Sequence, residues 1–498
     1  MIVVDYEEYR RFDAVGLAGL VARGEVTAAD LLEVAIERAE QVNPKLNAIV
    51  YPMYEIARKR AAGPLSGPLA GVPFLLKDLG QDYAGLPTGS GSWSLRGHVA
   101  AAHSVTVQRW LDAGLVVFGK TATPEFGTKA VTESKATGPT RNPWNPRHTP
   151  GGSSGGAAAA VAAGIVPVAG ASDGGGSIRI PAACCGLFGL KPGRGLLSSG
   201  PRRAESFHGA ATDGVISRTV RDTAAMLDVL TAAQDLGGPY LAARPDVSFA
   251  ELAAREPGRL RVGYTTRSPL GTPVDKEAVA AVSHAATVLT QLGHDVEEAE
   301  PDIDGRRMAG DFLTGWGANA ATIIAEIQRE HGARLEDFEL DTRMLAASAW
   351  AVKAPEYVAA HLRWNGYTRA LAAFHERYDL LLTPTLARPP VRVGELDTPP
   401  AVRALGQTLE RLKLIGAFSK TKAWNDQIIT NLAPVPYTQL ANITGRPAMS
   451  VPLHRTAQGL PLGVQFVAGL GGEGTLLALA TQLEAAHPWA QDEPPFCR

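Results

Sequence analysis

Cysteine is scarce in this sequence: three occur in 498 residues, of which Cys184 and Cys185 are adjacent and Cys497 lies near the end. So few cysteines cannot build the disulfide framework of a small secreted protein. The opening stretch, MIVVDYEEYRRFDAV, has acidic residues where a secretory signal would have a basic segment followed by an apolar one. We therefore expect a cytoplasmic protein.

An excess of charge of either sign and long apolar runs are also missing. Lysine and arginine total 48 against 50 aspartates and glutamates, which argues against nucleic acid and anionic membranes as main partners. The most apolar stretch, residues 157–171, is interrupted by Gly164 and Pro167 and is short for a membrane span. The composition, with 45% hydrophobic and 20% charged residues, is that of a globular protein.

Helical and strand patterns alternate along most of the chain. Thr27 is a candidate N-cap for a helix that we expect to end before Pro44, and Thr219 is a candidate N-cap for another. Short apolar runs typical of buried strands lie between such helices, which predicts an α/β fold with a substantial parallel component. From about residue 305 to 377 the pattern is mainly helical, and we interpret this tract as an insertion on the same body.

Two glycine-flanked serine sites occur in PGGSSGGAAAAVAAGIVPVAGASDGGGSIRIPA, residues 150–182. Ser153 and Ser177 are 24 residues apart, and residues 157–169 between them are apolar and uncharged. A flexible Gly/Ser linker would be polar, so this segment predicts a loop, a buried helix, a buried strand and a second loop. Glycine in such turns allows positive φ and lets backbone N–H groups approach a ligand.

A phosphate-binding loop is one alternative for the chemistry of this chain. Residues 114–121, GLVVFGKT, satisfy the pattern G-x-x-x-x-G-K-[ST]. The mechanism needs a loop that leads from a strand into a helix, whereas the intervening Leu-Val-Val-Phe is itself a strand pattern and Pro124 follows closely. We interpret this segment as a strand.

A nucleophile elbow is the second alternative. Residues 151–155, GGSSG, fit G-x-S-x-G, which would make Ser153 the nucleophile of a Ser-His-Asp α/β-hydrolase. This alternative leaves the second loop, SDGGGS, without a role. The downstream histidines available to it are His208, His284, His294, His331, His361, His375, His454 and His487.

A third interpretation uses both serine loops. Three glycines precede Ser177 and offer consecutive N–H groups where an attacked carbonyl oxygen would become negative. A serine nucleophile needs a base, which need not be histidine. Lys77 follows the apolar run of residues 72–76, so desolvation would favour its neutral amine, which is a competent base.

Taken together, these motifs resemble the amidase signature family. The resemblance rests on GGSSGG and SDGGGSIRIPAACCGLFGLKP, and it extends through GVPFLLKDL, GKTATPEFG, TRNPWNP, NITGRPAMSVPL and GLPLGVQFVAG. It implies one domain over residues 1–498, with the signature core at about residues 70–220. It also implies an α/β fold in which helices cover both faces of a large mixed β-sheet.

The family resemblance implies a Ser-cisSer-Lys triad. Lys77 would be the base, Ser153 the proton bridge on a cis peptide bond after Gly152, and Ser177 the nucleophile that forms an acyl-enzyme. An Asp173–Arg179 ion pair would brace the second loop. The implied oxyanion hole consists of the amides of Gly174, Gly175, Gly176 and Ser177.

The predicted reaction is the hydrolysis of a small-molecule carboxamide without metal or cofactor, by a protein that forms a homodimer if it self-associates. LLKDLGQDYAGLPTGSGS and TESKATGPTRNPWNP resemble bacterial amidases of the 6-aminohexanoate-cyclic-dimer hydrolase and aryl acylamidase kind. With this resemblance, the helical insertion at about residues 305–377 is expected to shape the substrate pocket, and Trp316 and Asn319, which share one helical face, are candidate pocket residues. The family also contains a glutamine-hydrolysing amidotransferase subunit, and that function and the Ser-His-Asp esterase remain alternatives.

Overall fold

The computed structural model describes residues 5–241 and 244–497. Strands of this mixed α/β fold form one large sheet and two smaller ones. The strands are β1 (Ile49–Pro52), β2 (Pro73–Lys77), β3 (Val116–Thr121), β4 (Glu133–Ser134), β5 (Gly138–Pro139), β6 (Val168–Asp173), β7 (Phe188–Lys191), β8 (Thr212–Ser217), β9 (Arg261–Tyr264), β10 (Asp295–Glu298), β11 (Leu380–Pro384), β12 (Ala448–Val451) and β13 (Val464–Ala468).

Helices occupy much of the remaining described chain, and none of them is long and apolar enough to cross a membrane. The helices are α1 (Tyr6–Arg11), α2 (Ala14–Ala22), α3 (Ala28–Leu46), α4 (Tyr54–Ala61), α5 (Val105–Asp112), α6 (Gly155–Ala162), α7 (Arg179–Cys185), α8 (Val220–Thr231), α9 (Phe249–Ala253), α10 (Lys276–Gln291), α11 (Gly305–His331), α12 (Leu340–Trp350), α13 (Ala354–His375), α14 (Pro400–Arg411), α15 (Ile415–Phe418), α16 (Lys422–Leu432), α17 (Gln439–Thr444) and α18 (Glu473–Ala486).

The large sheet has eight strands in the order β10-β9-β11-β13-β12-β7-β8-β6. Its only parallel pairs among the described residues are β9 with β10 and β9 with β11, and the other pairs are antiparallel, so the expected substantial parallel component is wrong for this sheet. The reason is in the connections. A helix, α10, carries the chain from β9 to β10, whereas no described helix lies between β12 and β13, which pair antiparallel.

The sheet β1-β3-β2 positions Lys77, because its fully buried strand β2 ends at that residue. Strand β2 packs beside β6, and α6 packs on β2, β3 and β6. This close approach requires a residue without a side chain: a Cβ on Gly156 would collide with the backbone of Ala122. The predicted order of loop, helix, strand and loop between the two serine sites is confirmed by α6 and β6.

The tract predicted to be helical consists of α11, α12 and α13. Helix α11 lies directly over the second serine loop. A Cβ on Gly174 would stand 3.1 Å from Trp316 Cζ3, and one on Gly175 would stand 2.9 Å from Phe312 Cζ. Glycine at both positions therefore allows the loop to lie under the helix.

Candidate active site

Three chain segments bring Lys77, Ser153 and Ser177 together. Lys77 ends β2, Ser153 precedes α6, and Ser177 follows β6. Both serines line one cavity of about 550 Å³. Lys77 has no exposed surface and Ser153 is 2% exposed, so solvent reaches neither readily.

The Lys77 amine is held between two hydroxyl groups. Its Nζ donates hydrogen bonds to Ser153 Oγ at 2.7 Å and to Ser172 Oγ at 3.0 Å. Burial lowers the pKa of Lys77 to about 7, although the charges of Asp213 and Asp173 oppose this shift. The neutral amine is therefore accessible near neutral pH, and in that form it can accept a proton through Ser153.

The loop that carries Ser153 is fixed by its surroundings. The Gly152–Ser153 peptide bond is cis, as the family resemblance implies. A Cβ on Gly152 would stand 2.7 Å from the backbone nitrogen of Val131, so glycine is required there. The Ser154 hydroxyl donates to Ser172 O at 3.2 Å and accepts from Ser172 N at 3.3 Å, which ties the two serine loops together.

A buried ion pair braces the second loop. Arg179 donates through Nε and Nη2 to the two carboxylate oxygens of Asp173, each at 2.9 Å, and neither side chain is exposed. Burial opposes ionisation, but the charge and hydrogen bonds of Arg179 hold the pKa of Asp173 well below its usual range. Asn442 Nδ2 also donates to Asp173 Oδ1, at 2.9 Å. The predicted brace is confirmed.

The same carboxylate changes the predicted set of oxyanion donors. The Gly176 N–H donates to Asp173 Oδ1 at 2.7 Å, so it is committed to the brace and is not available to a substrate oxygen. Gly176 has φ +128°, and a Cβ there would collide with Thr438. Among the described residues, no acceptor engages the amides of Gly174, Gly175 and Ser177. These three are the donors that the loop can offer.

The model of the Amidase family matches residues 30–477. The chain belongs to the Amidase family. It is 38% identical over 494 residues to the 6-aminohexanoate-cyclic-dimer hydrolase of Paenarthrobacter ureafaciens, and the match covers 97% of this chain and 96% of the relative. The predicted resemblance is confirmed, and the protein is an amidase, a hydrolase of amide carbon–nitrogen bonds.

Solved structures agree with the sequence match. A structure of 6-aminohexanoate cyclic dimer hydrolase is similar to the amidase with a TM-score of 0.90 and 36% identity, over 99% of this chain and 100% of that one. A bacterial aryl acylamidase of the amidase signature family is similar with a TM-score of 0.83 and 29% identity, over 96% of this chain and 97% of the other. The predicted fold class is confirmed.

Neither alternative motif is formed by the described residues of the amidase. Ser153 Oγ accepts from Lys77, and no histidine among the described residues hydrogen-bonds to Ser153 or Ser177, so the Ser-His-Asp arrangement is not formed. The GLVVFGKT segment includes β3, as expected. Its Lys120 is buried and donates to Pro87 O at 2.6 Å and to Thr88 Oγ1 at 2.7 Å.

The cavity wall of the amidase includes both predicted pocket residues, Trp316 and Asn319. It also includes Phe126 and Phe207, which the sequence analysis did not identify. Phe207 packs edge-on against Trp316, with ring centroids 5.2 Å apart. These aromatic side chains come from distant segments, so no local sequence pattern predicts that they are in contact.

Asp213 is a second residue that the sequence analysis missed. It lies on β8 opposite Ser172 of β6, and it lines the cavity. Burial raises the pKa of Asp213 to about 6, while the side chains of Thr106 and Gln81 and the charge of Lys77 favour its ionised form. Gln81 also accepts the backbone N–H of Lys77 at 2.6 Å. The charge of the Asp213 carboxylate on β8 thus raises the pKa of the Lys77 amine.

Proposed function

We propose that the amidase works through an acyl-enzyme on Ser177. Ser177 Oγ attacks the amide carbonyl carbon and gives its proton to Ser153 Oγ, whose own proton passes to neutral Lys77 Nζ. The protonated lysine then returns a proton through Ser153 to the leaving nitrogen. Water enters next and hydrolyses the ester on Ser177 by the same relay.

One observation carries this proposal: the hydrogen bond of 2.7 Å between Lys77 Nζ and Ser153 Oγ, in surroundings that lower the pKa of the amine. A lysine that served only to bind an anion would keep its charge, and burial works against that charge. Ser153 is hydrogen-bonded to Lys77 and lines the same cavity as Ser177. A residue that passes a proton from Ser177 to Lys77 has to meet both conditions.

The amides of Gly174, Gly175 and Ser177 are the proposed donors to the tetrahedral oxyanion. Such donors are aimed in advance and typically contribute a few kcal/mol to lowering the barrier. The Gly176 amide contributes indirectly, because its hydrogen bond to the Asp173 carboxylate stabilises the conformation of the turn. The reaction as proposed uses no metal and no cofactor.

For substrates, we propose linear or cyclic carboxamides that present a chain of several methylene groups to the cavity. The support is the similarity to 6-aminohexanoate-cyclic-dimer hydrolase and the size of the cavity, about 550 Å³. We propose that α11–α13 shape this pocket, with Trp316 and Asn319 in contact with substrate, within a single domain that spans the chain.

The test is a panel of 6-aminohexanoate cyclic dimer, acyl 4-nitroanilides and glutamine, with amine or ammonia release measured for the wild type, Ser177→Ala and Lys77→Ala. We expect turnover of cyclic dimer or anilide by the wild type alone, because both variants lack part of the relay. Turnover of glutamine alone would favour the amidotransferase-subunit alternative. Undiminished activity of Ser177→Ala would overturn the proposed nucleophile.

A further inference from the structure

One face of helix α11 forms a long wall of the catalytic cavity. The residues of α11 that line it are Trp316, Asn319, Ile323, Glu326, Ile327 and Glu330. At 1.5 Å per residue, this wall extends about 21 Å along the helix axis. Its inner end is Trp316, which packs on the glycine turn that carries Ser177. A substrate that follows the helix from the turn therefore passes Trp316, Asn319 and Ile323 before it reaches the first glutamate, Glu326.

The outer end of the cavity is closed by two ion pairs. Glu326 faces Arg203 at 3.6 Å, and Glu330 faces Arg202 at 3.7 Å, from the loop between β7 and β8. All four residues line the cavity. Both distances exceed hydrogen-bond length, and the side chains are 31–52% exposed, so each pair contributes little to stability. Glu330 also accepts a hydrogen bond from Arg329 at 3.0 Å, so it is at Glu326 that a charged group on a substrate can replace the arginine partner at small cost.

Negative charge exceeds positive charge along this cavity. Asp82 and Asp213 also line it, so four carboxylates face the two guanidinium groups. Two histidines complete the ionisable lining, and burial lowers the pKa values of both His98 and His103, which leaves them neutral near pH 7. A cleft with one sign of charge and low-dielectric walls concentrates groups of the opposite sign. The lining is thus suited to a cation.

We propose that Glu326 and Glu330 select amides whose acyl chain ends in a primary ammonium group, as in an ω-aminoacyl amide. This inference rests on the proposed function, because it takes the acyl carbonyl to lie at the glycine turn. The chain runs outward along α11, and its ammonium group replaces Arg203 beside Glu326. Lysine-like ammonium groups bind carboxylates by charge-assisted hydrogen bonds, which are stronger than neutral ones.

The length of the chain follows from the helix geometry. Glu326 lies ten residues beyond Trp316, which corresponds to about 15 Å along the axis. Both side chains lean toward the N-terminus, so this separation is kept, and an ammonium nitrogen that donates to the carboxylate lies about 3 Å nearer the turn, at roughly 12 Å. An extended chain advances about 1.2 Å per bond, so about ten bonds separate the carbonyl carbon from the ammonium nitrogen.

The test compares three 4-nitroanilides of similar length: 10-aminodecanoyl, undecanoyl and the monoanilide of undecanedioic acid. Release of 4-nitroaniline gives kcat/KM for each. We expect the ammonium probe to exceed the neutral probe by about tenfold, which corresponds to one charge-assisted contact, and the carboxylate probe to be poorest. The double variant Glu326→Gln/Glu330→Gln should bring the ammonium-to-neutral ratio close to one, and Arg203→Gln should raise it by leaving Glu326 without its partner.

Glu336→Gln is the matched control, because Glu336 pairs with Arg334 on the surface and does not line the cavity. It should leave the ratio unchanged. A wild-type ratio near one, a ratio that survives the double variant, or a preference for the carboxylate probe would overturn the inference.

If the wild type hydrolyses none of the three anilides, turnover of 6-aminohexanoate cyclic dimer decides the proposed function separately, and charge preference is measured by titration calorimetry with Ser177→Ala protein. About tenfold tighter binding of the ammonium probe than of the neutral probe supports the inference. Equal affinities overturn it.

Discussion

Ser172 and Asp213 are paired residues on the antiparallel strands β6 and β8, and both act on Lys77. The Ser172 hydroxyl accepts a hydrogen bond from the amine, whereas the Asp213 carboxylate favours its protonated form by charge. The basicity of Lys77 is therefore a balance between burial, which lowers its pKa, and the carboxylates of Asp213 and Asp173, which raise it.

We predict that Asp213→Asn shifts the acidic limb of the pH profile of kcat/KM to lower pH. In the wild type, Lys77 has a pKa of about 7, so activity rises as pH increases through that value and the amine becomes neutral. Without the carboxylate the pKa falls, and activity appears at lower pH. Asp82→Asn, at another acidic residue of the cavity, is the control and should leave the limb in place. An upward shift in Asp213→Asn would contradict the assignment.

Removal of the amine should abolish most of the activity without unfolding the protein. Lys77→Met keeps a side chain of similar length in a buried site, and we expect kcat to fall by about 10²–10⁴-fold because the relay has lost its base. Circular dichroism and thermal unfolding check the fold. Lys120→Met, at another buried lysine whose bonds go to Pro87 and Thr88, should keep the pH profile of the wild type. Comparable loss of kcat in both variants would point to a structural effect.

Breaking the Asp173–Arg179 pair should destabilise the fold by about 3–5 kcal/mol, because it leaves a buried charge without its partner. Asp173→Asn is the variant, and urea unfolding at several pH values is the measurement. The folded pKa of Asp173 lies below the unfolded value, so its stabilisation is present above about pH 4 and is lost as the pH falls further. The difference between wild type and variant should shrink in that range. A difference independent of pH would contradict the account.

Gly176→Ala should lower both stability and activity. The backbone there has φ +128°, and the new Cβ would collide with Thr438, so we expect a loss of about 1–3 kcal/mol in the free energy of unfolding. Gly310→Ala is the control, because a Cβ at Gly310 of α11 would meet nothing within 4 Å. We expect that variant to match or exceed the stability of the wild type. Equal stability of Gly176→Ala and wild type would refute the argument.

Local sequence signals predicted those segments whose structure depends on residues within the segment itself. Thr27 and Thr219 are N-caps of α3 and α8, as expected. The predicted end of α3 before Pro44 is wrong, because the helix continues to Leu46. Asn47 closes it in the left-handed conformation, and its N–H donates to Asn43 O at 2.8 Å. The left-handed backbone at Asn47 thus ends the helix, and Pro44 lies inside its last turn.

The parts of the site that the sequence analysis missed depend on contacts between distant segments. Asp213 reaches Lys77 because β8 pairs with β6, and Phe207 reaches Trp316 because α11 crosses the glycine turn. The commitment of the Gly176 amide to Asp173 likewise depends on how the turn folds back. The helices α14–α16 were also not predicted. Helix α16 has no buried residue whose pattern would mark it, among those that the structure describes.

The central claim is that Ser177, and not Ser153, forms the covalent intermediate. The measurement that tests it most directly is peptide mass spectrometry of the protein after reaction with a fluorophosphonate, with intact mass to count the adducts. We predict one adduct, on the peptide that contains Ser177, and none in Lys77→Met under the same conditions. An adduct on Ser153, or labelling that is unaffected by the loss of the Lys77 amine, would contradict the account.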